Sequence, residues 1–312
     1  MALYLTEADV DSLLTAADAV EAVEGCFRRM AAGSVELLPR TRLGLDGGRL
    51  NVMGAVDQEL GVSGIKTYTS FGNARSAVIV LFAADRSETL AVIEAHGLGQ
   101  RRTGAASGVA ARHLARPGAR SLGVIGCGVQ ARSQIESIRV AVPSLERVVV
   151  YCRDEARRAV FARSVGAEAG EYGTDAAEQD VVVTITSSRD PVLRGDWLRP
   201  GTTVIAAGAN RREARELDNA VLERASFVCC DSVAQARDEA ADLIEPVGQG
   251  VLDWLEVHEL SGVVSGELQA RQRDVDVVLF KSLGIAPEDL AVAALVVERA
   301  RERGVGIEVG SV

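Results

Sequence analysis

The chain has 312 residues, enough for two domains or one large one, and its 47% hydrophobic and 25% charged content describes an ordinary globular protein. Its formal net charge of −10, with acids and bases interspersed, argues against non-specific nucleic-acid binding. No apolar run reaches the ~20 residues that span a bilayer, and the amino terminus has no basic region followed by an apolar core, so neither a membrane span nor a signal peptide is expected.

Residues 6–14 open with Thr6 and carry Asp9, a capping-box start, and residues 15–32 repeat the device with Thr15 and Asp18. Ala19, Val20, Val23 and Phe27 recur at helical spacing, and Gly33 is a natural stop. Short alternating segments follow at 35–45, 49–53, 62–70, 77–83 and 89–95, punctuated by Gly, Asp and Asn as in an antiparallel meander. Residues 101–114 read as a helix leading into a different rhythm. From Ser121 strands and helices alternate, with strands expected at 121–125, 147–151, 181–186, 202–207, 226–230 and 275–280. A final helix over 287–303 has Pro287 near its first turn and Gly304 just past its end. The fold class expected is α/β: a unit of alternating strands and helices over 118–285, with its boundary near Pro117-Gly118, and a discontinuous α+β domain over 1–117 and 286–312.

The stretch Ser121-Leu122-Gly123-Val124-Ile125-Gly126-Cys127-Gly128-Val129-Gln130-Ala131 places G-x-G-x-x-A between a predicted strand and a predicted helix. Gly126 permits a tight turn, Gly128 lets backbone approach a pyrophosphate, and Ala131 allows close helix–strand packing. The helix N-terminus from Gln130 onward offers free N–H groups to phosphates. After the second strand of this unit come Cys152-Arg153-Asp154. Arg153 favours a 2′-phosphate and hence NADP(H), while Asp154 keeps NAD(H) open. Five cysteines (Cys26, Cys127, Cys152, Cys229 and Cys230) form no C-x-x-C, and His96, His113 and His258 have no ligand spacing. A reduced cytoplasmic protein without a structural metal is expected.

Other basic residues stand in notable settings. Arg101 and Arg102 precede Thr103-Gly104-Ala105-Ala106-Ser107, and a guanidinium at a helix start suits a carboxylate or phosphate. Arg40 and Arg42 flank Thr41. Lys66 interrupts the apolar strand Gly64-Ile65-Lys66-Thr67-Tyr68; it is either a snorkelling edge residue or a buried functional amine, and the bare sequence favours the former.

The ordered blocks Pro39-Arg40-Thr41, Gly64-Ile65-Lys66, Arg102–Ser107, Gly126–Ala131, Gly208-Ala209-Asn210, Arg215-Glu216-Leu217-Asp218 and Phe280–Asp289 give the chain a specific likeness. It resembles the ornithine cyclodeaminase/mu-crystallin family of NAD(P)-dependent enzymes over nearly its full length. The resemblance implies a homodimer and two domains: a Rossmann dinucleotide-binding domain over 118–285 and a discontinuous α+β substrate-binding and dimerisation domain over 1–117 and 286–312. It places Arg40, Lys66 and Arg102 around a substrate α-carboxylate, with Lys66 also able to hand a proton to the substrate and Arg42 as the substitute for Arg40 if the register slips by two. It implies a cofactor set of Thr103, Gly126, Gly128, Val129, Gln130, Arg153, Asp154, Thr186, Gly208 and Ser282. Asn210 stands in the substrate set where cyclodeaminases carry an acid, and an amide cannot serve as a carboxylate base. Met53-Gly54-Ala55 replaces the usual M-P-A, Gly99 stands where Thr is frequent, and His96 is unusual. The expected function is therefore NAD(P)H-dependent reduction at the C–N bond of a small 2-imino or 2-oxo acid, giving an L-amino acid. The alternatives are an ornithine-type cyclodeaminase with recycled NAD and a non-catalytic nucleotide-dependent binding protein.

Overall fold

The computed structural model describes residues 1–72 and 74–310, with Arg75 described by its backbone alone. It divides into two compact units, Met1–Arg102 with Ile285–Val312, and Thr103–Gly284. The sequence places the first boundary at Pro117-Gly118; the packing divides the chain earlier, inside a helix whose later turns belong to the second unit.

The first unit begins with strand β1 (Ala2–Leu5) and helices α1 (Glu7–Leu13) and α2 (Ala16–Ala31). Both capping boxes form: Asp9 and Asp18 accept from the backbones of Thr6 and Thr15, whose hydroxyls cap the helices in return. The meander follows as β2 (Val35–Leu45), β3 (Gly48–Asp57), β4 (Val62–Phe71), β5 (Ala74–Ala83) and β6 (Thr89–Glu94). Helix α3 (His96–Leu114) then carries the chain into the second unit, which contributes β7 (Ser121–Ile125), α4 (Ala131–Ala141), β8 (Arg147–Tyr151), α5 (Glu155–Val165), β9 (Glu168–Ala169), α6 (Gly173–Ala177), β10 (Val181–Thr184) and β11 (Thr203–Ala206). Its remainder is α7 (Asn219–Arg224), β12 (Ala225–Cys230), α8 (Val233–Glu239), α9 (Ala241–Gly248), β13 (Val257–Glu259), α10 (Leu260–Val264) and β14 (Val277–Lys281). The chain returns to the first unit through α11 (Ala286–Arg303), closed by Gly304 in the left-handed conformation, and ends in β15 (Ile307–Val309).

The sheet of the first unit runs β15-β1-β6-β5-β4-β3-β2. Strands β2 to β6 form the antiparallel meander, and β1 joins parallel to β6. Strands β1 and β15 are too short and too close to the ends of the chain for alternation to mark them, so the sequence reading lacks both. Helices α2 and α11 pack together, and α11 lies over β2–β6.

Edge strand β2 contains a bulge: Leu38 lies opposite Gly54 and Thr41 opposite Val52, so Pro39 and Arg40 together face Met53. The extra residue reverses the alternation. Glu36 and Leu38 are exposed before it, whereas Arg40 turns to the covered face and Thr41 is exposed. Proline, which cannot donate to a ladder, is accommodated at a bulge of an edge strand. On the opposite face Leu38, Leu43 and Ile65 are substantially exposed.

The second unit holds a parallel sheet in the order β13-β12-β14-β11-β10-β7-β8-β9. The strand order reverses between β7 and β10, the switch point where doubly wound sheets bind ligands beyond the strand ends.

Candidate active site

Met53, Lys66, Ile79 and Ile93 form one row across β3–β6. The three apolar members are fully buried and Lys66 is only 4% exposed. The edge reading of Lys66 is therefore corrected: β4 is an interior strand, and its even-numbered side chains here lie beneath α11. The amine finds its partner on another element. Lys66 Nζ donates to Asp289 Oδ1 at 2.7 Å. Arg102 Nε donates to the same oxygen at 2.9 Å, and its Nη1 donates to Glu288 Oε2 at 2.9 Å. Glu288 and Asp289 are fully buried in the first turn of α11, where the helix dipole favours negative charge.

Burial pushes the Lys66 pKa down to about 8; Asp289 opposes the shift, while Arg102 and Arg40 reinforce it. Burial also works against the Arg102 charge, yet Asp289 and Glu288 carry its pKa above the ordinary arginine range. Arg40, Lys66 and Arg102 are thus gathered around one spot, with Arg40 only 9% exposed. Arg42 lies farther along β2, past the bulge. The two acids were visible in the block Phe280–Asp289 but had no assigned role; adjacent acids in a first helical turn read simply as dipole complements.

The local setting of Arg102 also differs from expectation. Helix α3 starts at His96, so Arg102 sits inside the helix rather than ahead of it. The Glu7 carboxylate already occupies the helix start, accepting from His96 N at 2.6 Å and Gly97 N at 2.8 Å. Arg102 consequently owes its anion-binding character to its own guanidinium. The His96 ring is exposed, and Gly99 is tight against the amine: a Cβ there would lie 2.9 Å from Lys66 Nζ.

In the second unit the glycine turn follows β7 as the sequence predicts. Gly126 has φ +126°, and a side chain there would strike the backbone of Ile185. A Cβ at Gly128 would meet nothing within 4 Å, so this backbone is open to close approach by a phosphate. Val129 is exposed, Gln130 is the N-cap of α4 without a side-chain cap bond, and Ala131 is buried. A reversed strand order, an open glycine and an uncapped helix start fit a dinucleotide pyrophosphate. Gly104 serves the same unit differently: α3 and α4 approach so closely that a Cβ at 104 would strike Ser133 O.

After β8, Arg153 is exposed and Asp154 caps α5, accepting from Arg157 N at 2.9 Å. Thr103 is buried in α3. Thr186, Gly208 and Asn210 follow β10 and β11, and buried Ser282 follows β14, its N–H bonded to Ala206 O at 2.9 Å. Thr186 is already engaged: its N and Oγ1 donate to Glu216 Oε1 at 2.7 and 2.8 Å. Burial raises the Glu216 pKa, against the lowering effect of Lys281 and the Thr186 bonds.

A model of the ornithine cyclodeaminase/mu-crystallin family matches residues 2–304. An alanine dehydrogenase from Archaeoglobus fulgidus is 34% identical, with 98% of each chain covered. The structure of Thermococcus litoralis Δ1-pyrroline-2-carboxylate reductase in complex with NADH and L-proline is 30% identical, covers 98% of this chain and 100% of its own, and has a TM-score of 0.93. An archaeal alanine dehydrogenase dimer with bound NAD is 32% identical, covers 99% of both chains and also has a TM-score of 0.93. The matches run through both units, from the bulged strand of Arg40 to the acidic turn of α11, and the chain belongs to the ornithine cyclodeaminase/mu-crystallin family.

Proposed function

We propose that the protein is an NAD(P)H-dependent reductase of small 2-imino acids, or of 2-oxo acids with ammonia, yielding L-amino acids. The observation that carries this reading is the gathering of Arg40, Lys66 and Arg102 around one buried spot, three cationic side chains suited to a substrate carboxylate. Arg102 and Arg40 hold that carboxylate through their planar donors. Lys66, with its pKa near neutrality, gives a proton to the substrate nitrogen as the adjacent carbon is reduced. A nicotinamide cofactor would supply the hydride when bound, its pyrophosphate at the glycine turn and its nicotinamide half against the residues that follow β10, β11 and β14.

Relatives described with NAD and NADH support a nicotinamide cofactor. We read Arg153, exposed beyond β8, as favouring NADP(H), since Asp154 is engaged as a helix cap. Arg153→Ala should weaken NADPH more than NADH in fluorescence titrations. Free cysteines at all five positions suit a reducing, cytoplasmic setting. The exposed apolar face bearing Leu38, Leu43 and Ile65 fits a second copy of the chain, as does the dimeric relative. Ile65→Glu should convert a dimeric mass to a monomeric one in light scattering.

Cyclodeamination is the second reading, and Asn210 speaks against it because no carboxylate stands at that position. The experiment is a panel of 2-oxo acids with ammonia or methylamine, together with preformed cyclic imines and ornithine, followed at 340 nm. Stoichiometric loss of NAD(P)H supports reduction. Turnover of ornithine without net absorbance change would instead establish a cyclodeaminase.

A further inference from the structure

The second unit contains a buried ionic group that lies outside the chemistry described so far. Glu216, Asp242 and Lys281 are each 0% exposed. They come from the segment before α7, from α9 and from the end of β14. Lys281 Nζ lies 2.9 Å from Asp242 Oδ2, and Asp242 Oδ1 accepts from the N–H groups of Glu216 and Leu217 at 2.8 and 2.9 Å. The Glu216 carbonyl accepts from Val192 and Leu193 at 2.8 and 3.0 Å. Glu216 is thus fastened through both of its backbone groups, and its side chain has a fixed origin.

That side chain joins two loops. Oε1 accepts from Thr186 N and Oγ1, just beyond β10. Oε2 accepts from Gly208 N at 2.7 Å and Ala209 N at 3.1 Å, just beyond β11. All four partners donate, which matches an ionised carboxylate using both oxygens. Gly208 independently marks the same junction: a Cβ there would collide with the backbone of Thr186 and with Glu216 Oε1. The two loops are therefore in backbone contact, clasped by one carboxylate.

We propose that Glu216 is a positioning residue that holds the loops after β10 and β11 in register to receive the nicotinamide half of the dinucleotide. In a doubly wound sheet the adenosine half lies over the strands on one side of the switch point, here β7 and β8, and the other half over β10 and β11. Among the described residues, the Glu216 carboxylate bonds the loops of the second side. The inference rests on the dinucleotide reading given above.

The test compares NADH with ADP-ribose, which lacks nicotinamide, by titration against the wild type and Glu216→Gln. In the variant one oxygen becomes an NH2 group facing donors, so buried N–H groups lose their acceptor. NADH affinity should fall about 10- to 100-fold, while ADP-ribose affinity changes less than about twofold. Gly208→Ala, which forces the same junction apart, should give the same split, and Glu216→Asp should recover part of the NADH affinity. Equal weakening of both ligands, or loss of the folded unit, would make Glu216 a general folding residue and overturn the proposal. Unchanged NADH affinity would overturn it as well. A wild-type protein that binds neither ligand would defeat the dinucleotide reading itself, a result separable from failure of the Glu216 variant.

Discussion

Lys66 Nζ and Asp289 Oδ1 meet at 2.7 Å although 223 residues of chain separate them. The contact keeps a buried amine charged near neutrality, where burial alone would lower its pKa further. If Lys66 is the proton donor, as proposed, it must carry its proton in the reductive direction, so kcat/KM should fall as pH rises through about 8. In the oxidative direction the amine must be neutral, and the rate should rise across the same range. Lys66→Met removes the proton and should lower kcat about 10²–10⁴-fold while erasing both limbs. Steady-state pH profiles in the two directions check this; limbs that persist in Lys66→Met would assign the ionisation to another group.

Asp289→Asn tests the partner. Removing the carboxylate removes the influence that raises the Lys66 pKa, while burial, Arg102 and Arg40 still lower it. The reductive limb should move to lower pH, and activity at pH 7 should fall more than activity at pH 6. A limb that stayed in place would mean that Asp289 does not set the Lys66 charge.

Arg102→Ala should raise KM strongly, because a charged hydrogen bond to the substrate carboxylate is worth roughly 1.5–3 kcal/mol. The variant should also be less stable, since Glu288 and Asp289 lose donors inside a buried cluster. Arg102→Lys restores the charge but not the fork that reaches both acids, and should recover only part of each loss. Kinetics and urea unfolding together separate the two effects.

Gly128→Val should abolish dinucleotide binding with little change in stability. A side chain at this position has open space around it, so the fold tolerates it and the approaching phosphate does not. Nicotinamide fluorescence and a thermal melt are the two measurements. Retained cofactor affinity would remove the basis for the dinucleotide site.

Asp18 joins two helices of the first unit. Its carboxylate oxygens each accept from Arg299 at 2.6 Å, and it closes the capping box with Thr15. The Arg299 bond, with help from Thr15, holds its pKa well below the usual aspartate range. The folded-state pKa lies below the unfolded one, so this stabilisation is present above the unfolded value and is lost as pH falls through acid. Asp18→Asn should cost about 1–2 kcal/mol at pH 7, a figure kept modest because the pair is partly solvated. Urea unfolding at pH 7 and at pH 3 should show the difference between variant and wild type shrinking in acid.

The glycine turn was legible because its chemistry is local: strand, glycines, small residue and helix follow one another within eleven positions from Ser121 to Ala131. The long meander strands were legible from alternation, although β3 and β5 extend beyond their most regular stretches. The burial of Arg40 was not, because a bulge depends on how two strands pair and leaves no mark in one of them. The start of α3 was missed because Gly97 and Gly99 weaken helical propensity, whereas Glu7, from a distant segment, supplies the cap. Lys66 looked unsupported in its own strand because its counter-ion belongs to another helix. The Glu216 clasp likewise joins three segments; Thr186, Gly208 and the block Arg215–Asp218 each stand out by resemblance, but nothing in any one of them shows that a single carboxylate ties them together.

The placement of Glu288 and Asp289 in α11 also orders the birth of the protein. A ribosome reaches these acids only after it has made the whole of the intervening second unit. Until then Lys66 on the sheet and Arg102 on α3 lack the acids they bond, and the sheet lacks its covering helix. The nucleotide-binding unit, contiguous in the chain, can close on itself first. The buried ionic cluster of the first unit is completed only after that, by a contact of long chain separation. A chain that stopped before α11 would leave the ribosome with a complete parallel sheet and with Lys66 and Arg102 still waiting for Glu288 and Asp289.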